Sequence, residues 1–310
     1  MSTQKSKQST GSKKSSKKAS PKAPTPHSVA LVTGANGGIG LETAVGIASR
    51  GGIVVMAARN RQKGLAAMEI VKERSGNDKV ELLELDLASL TSVRKAAATF
   101  LATHDRLDLL VNNAGVMLTK REVTEDGFEA TFGVNHLGHF LFTHLLLDTL
   151  KATDSARIIN VSSAGHRMTL GLKFDDLMYS RRRYNGVRAY CDSKLANVLF
   201  TTELARRLEG TGVVVHALHP GVVRTHFAGD GDTQGLIAIG LKLTRGFYLS
   251  PADGAKTSLH AALSDEAGGM TGKYWAKSKL RRPRLPKNEA KQAARLWTLS
   301  AELVGLSATA

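Results

Sequence analysis

The chain has 310 residues, 42% of them hydrophobic, enough for one large α/β core. No run approaches the ~18 apolar residues of a membrane span, no internal repeat is visible, and the single cysteine, Cys191, excludes an internal disulfide. The net charge of +16 is unevenly spread, with seven lysines and no acid in residues 1–28.

That opening stretch of Lys, Ser, Thr and Pro has almost no apolar surface to offset ordering entropy, so a disordered basic tail is expected over 1–28. It lacks the apolar core of a signal peptide. A folded domain is expected over 29–310, in a soluble, cytoplasmic protein. From Val29 the pattern changes. Val29–Val32 reads as an apolar strand, followed by a glycine-rich turn and an amphipathic helix from Ile39 to Arg50. A strand at Ile53–Ala58 and a helix at Arg61–Ser75 come next. Strands at Val80–Leu85 and Leu107–Val111 flank a helix from Ser89 to about Thr103. One long helix is predicted over Gly127–Leu150, then a strand at Arg157–Val161, a helix at Ala189–Leu208 and a strand at Val213–Leu218. Short apolar strands alternating with helices predict a doubly wound parallel sheet with helices on both faces. Such sheets bind ligands beyond the carboxyl ends of their strands, where strand order reverses.

The residues at those ends therefore matter most. After the first strand stands TGANGGIG, Thr33 to Gly40. Gly34, Gly38 and Gly40 suit either a pyrophosphate at a helix N-terminus or a purely structural turn. After the second strand stand Arg59 and Asn60, and no acid occupies 57–60. An acid near this point would bond ribose hydroxyls, whereas Arg59 can fork onto a 2′-phosphate or simply lie in solvent. Asp86, followed by Leu87, can meet an adenine amino group or cap the next helix. Asn113, Ala114 and Gly115 form NNAG after the fourth strand, compatible with a ribose contact or a turn. Ser162 and Ser163 follow the fifth.

Tyr190 and Lys194 stand four apart on a helix and share one face. A lysine ammonium beside a tyrosine favours the phenolate and is expected to lower its pKa toward working pH. Such a pair suits proton transfer, and Ser163 could hydrogen-bond a substrate oxygen. The alternative is an ordinary exposed pair on an amphipathic helix. His219-Pro220-Gly221 closes the series after the sixth strand.

The order of these motifs resembles the short-chain dehydrogenase/reductase family over roughly residues 29–275. FGVNHLGHF around Asn135 and YCDSKLAN around Tyr190 are similar to the retinol dehydrogenase branch and its bacterial relatives. The resemblance implies a single Rossmann-type sheet of about seven strands and a tetrad of Asn135, Ser163, Tyr190 and Lys194. Asn135 would hold a proton-relay water and Ser163 the substrate oxygen. Tyr190 would move the proton, and Lys194 would bind the nicotinamide ribose. Gly34, Asn36, Gly38, Ile39 and Gly40 would line the pyrophosphate, with Asp86 and Leu87 near adenine. Arg59 and Asn60 would select NADP(H) over NAD(H). Asn113, Ala114 and Gly115 would lie near the adenosine-side ribose and cofactor backbone, Val223 and Thr225 would meet the carboxamide end, and Pro220 would lie by the nicotinamide. A homodimer through the helices around 127–150 and 189–208 is also implied.

An apolar lid is expected over about 226–249, suited to a lipophilic carbonyl or alcohol. The longer segment from Gly165 to Val187, with Arg181, Arg182 and Arg183, is expected to line or cover the substrate site. The basic tail and the cluster from Lys277 to Lys287 suit weak contact with anionic membrane or nucleic acid, or plain solvation. No metal is assigned. The rival reading is an NADP(H)-binding sensor or scaffold without turnover.

Overall fold

The computed structural model describes residues 28–222 and 249–307. The expected basic tail and nearly all of the expected lid lie outside these residues. Eight strands form one sheet in the order β3-β2-β1-β4-β5-β6-β7-β8. They are β1 (Val29–Thr33), β2 (Ile53–Ala58), β3 (Val80–Glu84), β4 (Leu109–Asn112), β5 (Arg157–Val161), β6 (Val214–His219), β7 (Lys273–Ala276) and β8 (Lys279–Arg281). All pairings are parallel except β7 with β8. β1, β4 and β5 are buried along their whole length, as a sheet covered on both faces requires. Strand order reverses between β1 and β4, which opens a crevice at their carboxyl ends.

Helices α1 (Gly38–Ala48), α2 (Arg61–Ser75) and α3 (Leu90–Thr103) cross between the first strands. Asn60 and Ser89 cap α2 and α3 with side-chain acceptors. Beyond β4, the single helix predicted over 127–150 is instead broken into α4 (Ala130–Phe132), a π-helical turn (Gly133–Leu137), α5 (Gly138–Leu145) and α6 (Leu147–Ala152). Residues 131–143 are buried on almost every side, so the sequence shows no polar face from which the phase shift of an extra residue could be read. The long helix α7 (Gly186–Arg207) starts three residues before the predicted Ala189, because Asn185 accepts from Arg188 N and caps it. Then come α8 (Pro251–Leu263), α9 (Asp265–Gly268) and α10 (Glu289–Leu303).

β8 had no distinct sequence signal. The β7–β8 turn puts Lys277 and Ser278 at φ +52° and +53°, the left-handed pair a tight hairpin needs, but without its usual Asn or Gly.

The core has two layers, one on each face of the sheet. One gathers Phe100, Phe140, Leu195, Phe200 and Trp297. The other gathers Ile47, Met56 and Trp275. α10 lies across the seam of α5 and α7. Trp297 meets Phe140 and Phe200 at ring centroid distances of 5.0 and 6.0 Å, and Ser300 Oγ meets His136 Nε2 at 2.8 Å. Helix α10 thus covers part of the two helices that the family resemblance linked to a dimer contact. Trp297→Ala is expected to cost about 3–5 kcal/mol, read from the midpoint of denaturant unfolding. A loss below about 1 kcal/mol would mean that α10 is only loosely docked.

Candidate active site

The crevice between β1 and β4 is built on glycines. Gly34 and Gly38 have φ of +64° and +55°, a region costly for any residue with a Cβ. A Cβ on Gly40 would strike the Gly34 carbonyl and come within 2.6 Å of Asn113 Nδ2. No side chain caps α1, because Gly37 has none to offer. Eleven residues of helix therefore present their first N–H groups to the crevice, the arrangement an anionic phosphate fits. Asn36 and Ile39 are half-buried beside it.

Around this loop the sequence candidates divide. Arg59 is exposed at the end of β2, and its neighbour Arg61 is engaged with Glu84 at 2.9 Å. Asn60 spends its side-chain oxygen on Lys63 N (2.9 Å). Asp86 does not cap α3. It closes a local turn by accepting from Ala88 N (2.9 Å), while Leu87 is buried. Asn113 turns its amide inward, donating to Thr33 O at 2.8 Å. Its side chain therefore ties β4 to β1. A Cβ on Gly115 would come within 3.1 Å of Asn135 Oδ1 and 3.3 Å of Lys194 Nζ, so the bare backbone there keeps space open next to the ammonium. These glycines and the uncapped helix fit a dinucleotide.

Ser163, Tyr190 and Lys194 come together beyond β5. Ser162 is turned away and donates to Lys194 O at 2.7 Å. Ser163 Oγ accepts from Gly165 N at 3.1 Å, and it and the Tyr190 ring lie side by side against Gly165. Lys194 is buried, donates to Val161 O at 3.1 Å, and stands 5.6 Å from the Tyr190 ring centroid. The expected lowering of the Tyr190 pKa by Lys194 is not what this arrangement produces. Burial pushes Tyr190 up to about 12, opposed by the Ser163 hydroxyl, and burial pulls Lys194 down to about 8. Desolvation outweighs a cation that is itself held by a carbonyl.

Asn135 sits inside the π turn, fully buried. Its Oδ1 accepts from Val116 N (2.7 Å), and its Nδ2 donates to Val116 O and Ser193 Oγ (both 2.9 Å). Ser193 Oγ in turn donates to Tyr190 O (2.8 Å). Pro220 and Gly221 close β6, with Gly221 at φ +95°. Val223 and Thr225 lie outside the described residues.

Of the arginines at 181–183, Arg182 folds inward. It stacks on the Tyr179 ring, 3.6 Å from its centroid, and donates to Asp192 Oδ2 at 3.2 Å, while Arg181 and Arg183 stay exposed. Four residues escaped the sequence reading: Thr33, His139, His166 and Ser193. His166 Nδ1 donates to Ser163 O at 2.6 Å. FGVNHLGHF contains His139, but nothing in the pattern distinguishes a histidine that bridges two elements from one that fills core.

The short chain dehydrogenase family matches residues 28–174 and 176–234. Human retinol dehydrogenase 13 is 47% identical over 290 residues, covering 93% of this chain and 87% of that protein. Among solved structures, an uncharacterised protein from Mycobacterium paratuberculosis superposes with a TM-score of 0.70 at 36% identity, covering 92% of this chain and 96% of that one. RhlG of Pseudomonas aeruginosa, solved as an active-site complex with NADP, gives a TM-score of 0.61 at 27% identity, covering 80% and 93%. With this sheet order, glycine loop and Ser163/Tyr190/Lys194 cluster, the chain belongs to the short-chain dehydrogenase family. Within it, the chain falls in the retinol dehydrogenase-like branch.

Burial also makes the fold sensitive to acid. His136 and His139 are pulled down to about 3 and His216 to about 4. Unfolded, each ring takes a proton near pH 6.5. Between those values and 6.5 the unfolded chain binds more protons, so stability falls as pH falls. The melting temperature is expected to drop progressively below pH 6.5, and His216→Gln to remove its share of that slope. A flat profile from pH 7 to 5 would show that these rings are not buried neutral.

Proposed function

We propose that this chain transfers hydride between NADP(H) and a lipophilic carbonyl or alcohol, with Tyr190 moving the proton. The observation that carries this reading is that Ser163 Oγ and the Tyr190 ring both lie against Gly165, with buried Lys194 alongside. A carbonyl oxygen placed against both hydroxyls would be held by Ser163 and protonated by Tyr190. Buried Lys194 would stabilise the resulting phenolate, an attraction that burial strengthens. NADPH, when bound, supplies the hydride at its nicotinamide. The glycine loop and the α1 N-terminus would hold its pyrophosphate, Gly115 and Lys194 its nicotinamide ribose, and Pro220 the region beyond.

Arg59, with no acid at 57–60, supports NADP(H) over NAD(H). A lipophilic substrate is supported by the names of the retinol dehydrogenases it resembles and by the apolar residues Leu236, Ile237, Leu241 and Phe247 in the expected lid. A homodimer built on the α5–α7 seam would have to displace α10, so another face is the better candidate for one. Among the described residues no helix is long and apolar enough to cross a membrane. The lysine-rich first 28 residues support peripheral contact with anionic lipid.

Fluorescence titration is expected to give tight NADPH binding and weaker NADH binding. Arg59→Ala should cost about 10–100-fold in NADPH affinity and little in NADH affinity, as loss of a charge-assisted contact implies. Tyr190→Phe should keep NADPH binding and lose about 10²–10⁴-fold in turnover of a lipophilic aldehyde. Unchanged turnover in that variant would refute the role of Tyr190. NADPH binding without turnover of any lipophilic aldehyde or alcohol by the parent would favour a sensor or scaffold.

A further inference from the structure

We infer that His139 is a positioning residue that tethers the glycine-rich loop to the π turn carrying Asn135, and so couples cofactor seating to the placement of Tyr190. The inference rests on the hydride-transfer reading above, but begins from an inventory of protons. Thr33 Oγ1 accepts from Asn113 N at 2.9 Å and from Ala114 N at 3.0 Å. Both lone pairs of that hydroxyl are then occupied. Its one proton has two acceptors in reach, His139 Nε2 at 2.9 Å and Val111 O at 3.4 Å. The closer, His139 Nε2, must therefore be unprotonated.

The proton of the neutral ring then lies on Nδ1. That nitrogen is 3.2 Å from Asn135 O and donates to it. His139 is buried, and burial with Lys194 nearby keeps it neutral. A doubly protonated ring would aim Nε2–H at a hydroxyl with no lone pair left.

The contacts form a continuous chain. Thr33 donates to His139, His139 to Asn135 O, Asn135 Nδ2 to Ser193 Oγ, and Ser193 Oγ to Tyr190 O. One end belongs to the loop that would hold pyrophosphate and the other to the backbone of the proton donor. Every link is within 3.2 Å. Because Thr33 also anchors Asn113 and Ala114, a shift of the loop is passed on to the helix rather than absorbed in a gap.

The test has a spectroscopic and a kinetic arm. In ¹⁵N-histidine-labelled protein, the His139 signals are assigned by their loss in His139→Gln. They are expected to show the Nδ1–H tautomer, unchanged from pH 8 to 5, and Thr33→Val should move the Nε2 resonance. In turnover of lipophilic aldehydes with NADPH, His139→Phe and Thr33→Val should each lower kcat at least tenfold with the aldehyde KM within threefold. The double variant should fall no more than about threefold below the worse single one, as members of one chain do. Thr33→Ser, which keeps the hydroxyl, should recover most of the turnover lost in Thr33→Val. An Nε2–H tautomer in the parent protein would overturn the tether. So would a folded His139→Phe enzyme with a lowered melting temperature and kcat within twofold of the parent. If the parent turns over no substrate, the hydride-transfer reading fails, while the tautomer still decides whether the tether exists.

Discussion

The site depends on how the helix beyond β4 passes Asn135. A regular α-helix there would set each side chain 100° from the last. The π turn from Gly133 to Leu137 inserts an extra residue into that rotation. It leaves the Asn135 side chain bridging the backbone of Val116, on the β4 side, and Ser193, on α7. Three of its hydrogen bonds are thereby committed to holding two elements at a fixed separation. Tyr190 and Lys194 ride on one of those elements, and the bare Gly115 backbone leads into the other. Glu129 supports the turn from its start. Its buried carboxylate accepts from Thr131 N and Phe132 N, and Tyr184 also donates to it.

Burial here has an electrostatic consequence. Lys194 is buried, and desolvation penalises its charged form as it does that of Tyr190. Lys194 and Tyr190 both move toward neutrality as a result, the one down to about 8 and the other up to about 12. Their ordinary values nearly coincide, and burial sets the tyrosine well above the lysine, so the pair carries opposite charges only when something else in the crevice compensates. An oxygen acquiring charge beside Ser163 would be such a partner. On the proposed reaction the tyrosine would start as the proton donor, and its conversion to phenolate would belong to the reacting complex.

The cofactor half of the site was legible from sequence because it is local. Thr33 to Gly40 must turn tightly against a helix, and glycine is the only residue that does so without cost at Gly34 and Gly38. Tyr190 and Lys194 were legible because a helix fixes what lies four residues away. The π turn, the inward-facing Asn113 amide and the His139 bridge were not. Each depends on partners some 19 to 106 residues distant, which no local pattern encodes. The β7–β8 hairpin was lost for a different reason, since Lys277 and Ser278 adopt left-handed conformations that their side chains disfavour.

The substrate half follows different rules. The stretch from 165 to 187 has little regular structure of its own and is held by a few charged anchors. Asp176 accepts from the backbone of Ser180, Arg181 and Arg182, and Asp192 on α7 accepts from Tyr179 and Arg182. The arginine run is thus partly consumed in folding the segment onto the catalytic helix. Only its flanking members, Arg181 and Arg183, keep their exposure. Asp192 stands two residues from Tyr190, so this segment is fixed to the same helix as Tyr190. If this segment lines the substrate site as proposed, substitutions in it would change what the site admits while the parallel ladder and the Asn135 bridge stay in place. That division explains why the family is plain in this sequence while the identity of the substrate is not.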